Sequence, residues 1–299
     1  MLSRRPLMLA LIALLLLGLL AYFGTRTWME YRMAGVVDRQ LALLPGQMDV
    51  RYDGIRVKLF QRTLRLEGVR ISLSPDEPAI YLQALVLHRI DRDNPIPHEL
   101  EIEVRGFDQR LAGSRLPLAD MLQAHGYDRL RGSAYLHYRY VPEERRLELP
   151  RLRLTLHELG ELVTEGRWPQ HRPAGLPLMD WRVVDSLALD FLELSYQDEG
   201  LVPRILQRSA YEQGMLSTSL ASNIVAEMEW SAADFSDERL DASVRALRLF
   251  LLDPQVLIRL RLDPEEPKPL GELRDLVLVD PPRAALELRL LLSTPAAGR

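Results

Sequence analysis

Cysteine is absent from all 299 residues. That excludes disulfides, thiolate metal sites and a cysteine nucleophile, and with them the lipid-modified cysteine of a lipoprotein. Lysine is nearly absent too: of 38 basic residues only Lys58 and Lys268 are not arginine. A GC-rich genome accounts for that bias, and so would a need for weakly hydrated guanidinium groups facing phosphate or carboxylate partners. Charge of one sign is also lacking, since the net charge is −4 and the basic residues are spread along the chain. No nucleic-acid partner is expected from such a surface.

Familiar catalytic frames are missing as well. The chain carries no G-x-S-x-G elbow, P-loop or dinucleotide fingerprint. Its histidines (His88, His98, His125, His137, His157 and His171) form no H-E-x-x-H or H-x-H pair. His157-Glu158 with Glu161 comes nearest, and His157 and Glu161 would be neighbours only on a helix. Asp234, Asp237 and Glu238 stand at a helix start, where acids complement the dipole, and Glu265-Glu266 lies in a proline-rich turn. The expectation is a protein that is not an enzyme, with no catalytic residues, metal or cofactor.

What is present begins with an uncharged apolar run, "LMLALIALLLLGLLAYFG", over residues 7–24. Eighteen residues of helix measure about 27 Å, close to the hydrocarbon thickness of a bilayer. Tyr22 and Trp28 fall where an aromatic belt lies, and Arg4 and Arg5 precede the run. A cleaved signal peptide would want a small-x-small site, for which "LLAYFGTRT" is poor. An uncleaved transmembrane anchor is therefore expected. Arg4 and Arg5 on one side nearly balance Arg26, Arg32 and Arg39 on the other. The short basic tail puts the N-terminus in the cytoplasm. The expected location is the bacterial inner membrane, crossed once, with the C-terminal domain in the periplasm.

Periodicity divides the rest. Residues 1–6 form the cytoplasmic tail, 7–24 the anchor and 25–46 a juxtamembrane helix ended by Pro45-Gly46. A β-rich region follows over 47–168, then a linker at 169–180 that begins with "PQHRPAGLP" (169–177), then an α+β region over 181–299. In "RTLRLEGVRISL" the apolar phase is Leu64 and Leu66 before Gly68, and Val69, Ile71 and Leu73 after it, as a bulge would read. Pro150 marks a second phase change within a long hairpin over 132–162. Three helices are expected at 200–213, 217–230 and 237–252, with Asp198 capping the first. Extended segments are expected over 256–262 and 284–292. The fold class is α+β: an N-terminal transmembrane helix, then a mainly antiparallel, curved sheet with helices concentrated in the second half. Arg204 and Arg208, four apart on one helical face, are the candidate contacts for an acidic partner or lipid headgroup.

The anchor followed by "MDVRYDGIRVKLFQRTLRLEGVRISL" resembles bacterial envelope proteins of the AsmA-like and YdgA-like kind. "LSYQDEGLVPRILQRSAYEQG" and "FLLDPQVLIRLRLDPEEPKPL" are similar to phrases of that group. The resemblance implies no catalytic residue. It implies a role in cell-envelope assembly or maintenance through binding of lipid or envelope proteins, since the group's larger members form β-grooves that move or organise lipid. An accessory subunit of a secretion or lipopolysaccharide-export machine, gripping its partners through sheet edges, is the alternative. One-sided strands serve a closed core as readily as an open groove, so the cover over the apolar face is what distinguishes them.

Overall fold

The computed structural model describes residues 4–41, 49–74, 76–91, 94, 97–114, 116, 118–169, 187–233, 237–279 and 281–294, with backbone alone for 4–21 and a few other helical positions. Helix α1 (Arg4–Leu41) runs through the apolar segment and past it without a break. The anchor and the juxtamembrane helix are thus one element, whose expected end at Pro45-Gly46 lies outside the described residues. Among the described residues, no helix is long and apolar enough to cross a membrane, and the side chains of 7–21 are not among them.

Eleven strands make one sheet: β1 (Asp49–Arg51), β2 (Gly54–Lys58), β3 (Thr63–Ser72), β4 (Ile80–Ile90), β5 (Glu99–Arg110), β6 (Arg129–Val141), β7 (Arg146–Leu156), β8 (Gly160–Pro169), β10 (Phe191–Asp198), β11 (Ile258–Leu262) and β13 (Leu291–Ser293). Its pairings are antiparallel and mostly join sequence neighbours, so the sheet is a long meander. A small pair, β9 (Ala188–Leu189) with β12 (Lys268–Pro269), lies apart from it. Helix α2 (Ala119–Ala124) connects β5 to β6. The longer helices follow β10: α3 (Leu201–Glu212), α4 (Ser217–Ala233), α5 (Glu238–Leu252), α6 (Leu270–Val279) and α7 (Pro281–Glu287). The class is α+β, mainly antiparallel, with helices in the second half. Residues 170–180 of the expected linker lie outside the described residues, and Pro169 ends β8.

The sheet bends where the sequence shifts phase. Register slips between Leu149 and Leu152 of β7 against β8, and between His137 and Arg139 of β6 against β7, so Pro150 lies in a bulge on β7. Proline has no amide to donate, and a bulge is where a sheet interior tolerates that. Gly68 works differently from the expected bulge. Glu67 pairs with Ala84 and Val69 with Leu82, so no residue is inserted between β3 and β4. Instead φ of +59° at Gly68 rolls the strand, and Leu66 and Val69 both turn inward. A Cβ there would overlap the Asp53 carboxylate. Gly106 adopts the same φ on the far side of Gln83, so the kink crosses three strands.

Two expectations need correction. The hairpin over 132–162 is β6, β7 and the start of β8, because residues 157–159 form a turn with Glu158 at φ 64°. Residues 284–292 are not one strand: 284–287 end α7, a turn follows, and only Leu291 and Leu292 belong to β13. Ala284 and Leu288 are both buried, and a spacing of four is helical. Helix α6 occupies residues for which the sequence pattern predicts no element. Asp198 does accept the Val202 amide at 2.9 Å and the Gly200 amide at 2.8 Å, although it ends β10 and Gly200 is the N-cap residue. Asp237 caps α5, accepting from Arg239 at 2.7 Å and Leu240 at 3.1 Å.

Helices close both edges of the sheet. At one, Glu30 of α1 accepts the outward amide of Val57 on β2 at 3.1 Å, and Tyr52 donates to Asp38 at 2.7 Å. At the other, Ser243 of α5 accepts the amide of Leu292 on β13 at 2.9 Å. Open edge amides invite strand addition by other chains, and these two are taken.

Candidate functional site

Register turns scattered leucines into one feature. Val57, Leu64, Leu87, Ile102, Leu136, Leu152, Thr164, Leu194, Leu260 and Leu292 are successive cross-strand partners from β2 to β13. At about 4.8 Å per strand this row extends for roughly 43 Å. A parallel row holds Ile55, Leu66, Leu85, Val104, Ala134, Leu154, Leu162, Tyr196 and Ile258. Both rows lie on the same face, two residues apart on each strand.

The cover over this face is partial. At the β10–β13 side, Phe250 of α5 meets Tyr196 edge-on at 6.0 Å, and Leu192 and Leu262 pack with Leu189, Leu273 and Leu288. Helix α2 closes one end of β5–β8 through Leu111, Leu122, Tyr127 and Leu159. In between, Leu87, Ile102, Leu136, Leu152 and Leu154 belong to no buried cluster among the described residues, and each stays partly exposed. The bare stretch opens toward α1 into a cavity of about 760 Å³. Met29, Met33, Val57, Leu64 and Leu87 supply apolar lining, and Arg62, His88, Arg89, Asp91 and Glu99 supply polar groups. Its volume is within the range of small-molecule sites, although polar residues make up half of its lining.

The opposite face is charged and neutralises itself. Glu103 accepts from Arg105 at 2.6 Å and lies 3.2 Å from His88. The Arg105 hydrogen bond, outweighing partial burial, holds the Glu103 carboxyl below its usual range. Tyr135 donates to Glu101 at 2.8 Å, and Arg153 pairs with Glu161 at 3.1 Å. His157 lies on the β7–β8 turn, so it does not join Glu161 as a ligand pair. Among the described residues no group of three or more acids and histidines could hold a metal, and His171 lies outside them.

Arg204 and Arg208 sit one turn apart on α3, as the spacing implied. Arg204 is committed within the chain: its guanidinium lies 3.0 Å from Glu158 and 4.5 Å from the Tyr127 ring centroid. Tyr127 in turn donates to the Glu158 carbonyl at 3.2 Å. The Tyr196 hydroxyl lies 2.6 Å from the Leu159 carbonyl and 2.8 Å from Asp198, and burial first, then Asp198, pushes its pKa far up. Together these groups fasten the β7–β8 turn to α3. Arg208 pairs with Glu212 at 2.8 Å and is the more exposed of the two. The candidate headgroup contacts are therefore a corner fastening and a surface helix pair. The apolar rows carry the site, and only cross-strand register could have revealed them.

A family model described as "Uncharacterized protein" matches residues 161–291, from β8 into β13. No curated protein matches the chain.

Proposed function

We propose that this chain is a non-catalytic, single-pass bacterial inner-membrane protein whose periplasmic sheet binds lipid acyl chains during envelope assembly or maintenance. The observation that carries the reading is the bare stretch of apolar rows over β4–β8, continuous with a cavity against the helix that extends the apolar run. Each methylene moved from water onto such a face is worth about 0.8 kcal/mol, so a single chain lying along it gains substantially. The alternative, an accessory subunit of a secretion or lipopolysaccharide-export machine held through sheet edges, finds less support. Val57 and Leu292 already give their edge amides to Glu30 and Ser243.

The test uses the full chain in vesicles that contain a phospholipid with a photoactivatable group near its acyl terminus. After irradiation, labelled peptides are mapped by mass spectrometry. Labels on Ile102, Leu136, Leu152 or their neighbours are expected. Labels confined to residues 7–24 would show a buried anchor and no lipid on the sheet, and the reading would fall.

A further inference from the structure

Phe60 is the most exposed large apolar side chain among the described residues, at 89 %. It tips the β2–β3 turn, a place where a soluble surface would favour a polar residue. The turn does not project at random. Phe60 stacks on Tyr22 of α1, with centroids 5.6 Å apart and planes at 12°, and Tyr22 falls within the apolar run. Along α1 beyond this point Phe23, Trp28 and Tyr31 are also exposed, so four of the molecule's uncovered aromatics fall within about 12 Å along the helix axis.

The local charge has one sign at the turn itself. Lys58 and Arg62 flank Phe60, and neither has a carboxylate partner among the described residues. Arg32, one turn beyond Trp28, lies with its guanidinium 5.3 Å from that ring. Arg62 holds φ of 51°, so the chain reverses tightly at the tip. Amphipathic rings beside cations match the boundary between headgroups and acyl chains, where rings sit at the carbonyl level and cations meet phosphate.

We propose that the β2–β3 turn is a second membrane contact, seating Phe60 in the interface of an anionic bilayer with Lys58 and Arg62 on its phosphates. The proposal rests on the reading of residues 7–24 as an anchor and adds to it a fixed attitude of the sheet. Gln61, Arg62 and Thr63 line the cavity together with Met29 and Met33. Seating the turn therefore presses the cavity mouth against the bilayer, so an acyl chain can enter without crossing water.

The cysteine-free chain makes the test clean. Single-cysteine variants of the full chain, Gln61→Cys, Tyr211→Cys and Leu16→Cys, are labelled with an environment-sensitive fluorophore. They are reconstituted into vesicles of phosphatidylethanolamine and phosphatidylglycerol carrying a nitroxide high on the acyl chain for the Gln61 and Tyr211 probes, and near the chain end for the Leu16 probe, which would sit at the bilayer centre. The Gln61 probe should be blue-shifted and quenched, whereas the probe at Tyr211, exposed on α3, should be neither. Phe60→Ser in the Gln61→Cys background should abolish most of the quenching. The K58E/R62E pair should reduce it severalfold, since each basic group at an anionic surface contributes about a factor of five. A quenched Leu16 probe beside an unquenched Gln61 probe overturns the second contact and leaves the anchor standing. A chain that does not float with vesicles, or a Leu16 probe that is not quenched, overturns the anchor and the contact with it.

Discussion

One apolar face crosses two regions of this molecule and meets two fates. Over β10–β13 it is roofed by α5, α6 and α7, with Phe250 against Tyr196 and Leu273 and Leu288 over Leu192 and Leu262. Over β4–β8 the same alternation continues, with aliphatic side chains at most inward positions, and among the described residues no helix crosses its centre. Alternation thus encodes that a strand has an apolar side, and not what lies upon it. The distinction is energetic, and it can be broken by truncating equivalent side chains in each region.

The largest expected effect is in the roofed region. Phe250→Ala should cost about 3–5 kcal/mol in denaturant unfolding, because a buried ring leaves a cavity that α5 cannot collapse. Leu136→Ala, in the bare region, should cost only about 1 kcal/mol, since its side chain is partly in water already. It should still weaken acyl-chain labelling in vesicles. Equal costs at the two positions would mean that the bare stretch is closed core, and the comparison would collapse.

A smaller effect tests how the bare region gets its shape. Gly68→Ala forces a Cβ into the Asp53 carboxylate at a φ that L-residues avoid. We expect a loss of somewhat more than about 1 kcal/mol, with part recovered in the Gly68→Ala/Asp53→Ala double variant. Failure of the second change to recover anything would place the strain in φ alone.

The two regions also differ in how far the sequence disclosed them. In the meander, period-two leucines located the strands, and Pro150 and Gly68 located the irregularities, because phase is a local property. The difference between a bulge at Pro150 and a roll at Gly68 was hidden, since both shift the phase and only the partner strand counts residues. In the helical half, α3 to α5 were legible from fourfold spacing and from Asp237. Helix α7 was not, because Ala284, Leu286, Leu288 and Leu290 satisfy periods of two and four alike. The apolar rows as a site were illegible for a deeper reason: they are set by nine separate registers. Arg204 and Arg208 attracted attention as a charged pair, but Glu158, which occupies Arg204, lies 46 residues away.

That fastening gives a modest prediction. Arg204→Ala removes a half-exposed guanidinium from the buried Tyr127 ring and from exposed Glu158, and should cost about 0.5–1 kcal/mol. Arg208→Ala loses only a helix surface pair and should be nearly silent in stability. If the Arg208 variant instead lost vesicle or partner binding with its stability intact, Arg208 would be a contact for a headgroup or acidic partner.

The finest test concerns the seam between α1 and the bare region. Burial raises the Glu30 carboxyl, but the Arg26 hydrogen bond, the Val57 amide and the nearby Arg26 and Arg56 charges outweigh it and hold its pKa below the usual range. A lowered folded pKa means that Glu30 favours docking above the ordinary carboxylate value, and that this contribution is lost as pH falls through the lowered one. Tyr52 acts in the opposite direction: burial, then its bond to Asp38, raise its hydroxyl to about 12. Its contact is fully present below the ordinary tyrosine value and is lost only as pH rises through about 12. Spin labels at Tyr31→Cys and Lys58→Cys should therefore report one α1–β2 distance from neutral pH down to the ordinary carboxylate range, and a longer one below it. Glu30→Gln keeps an acceptor for the Val57 amide but removes the charge, so its distance should not respond to acid. An acid response that persists in Glu30→Gln would assign the seam's pH sensitivity to other groups and leave Glu30 only its role as the cap of an edge strand.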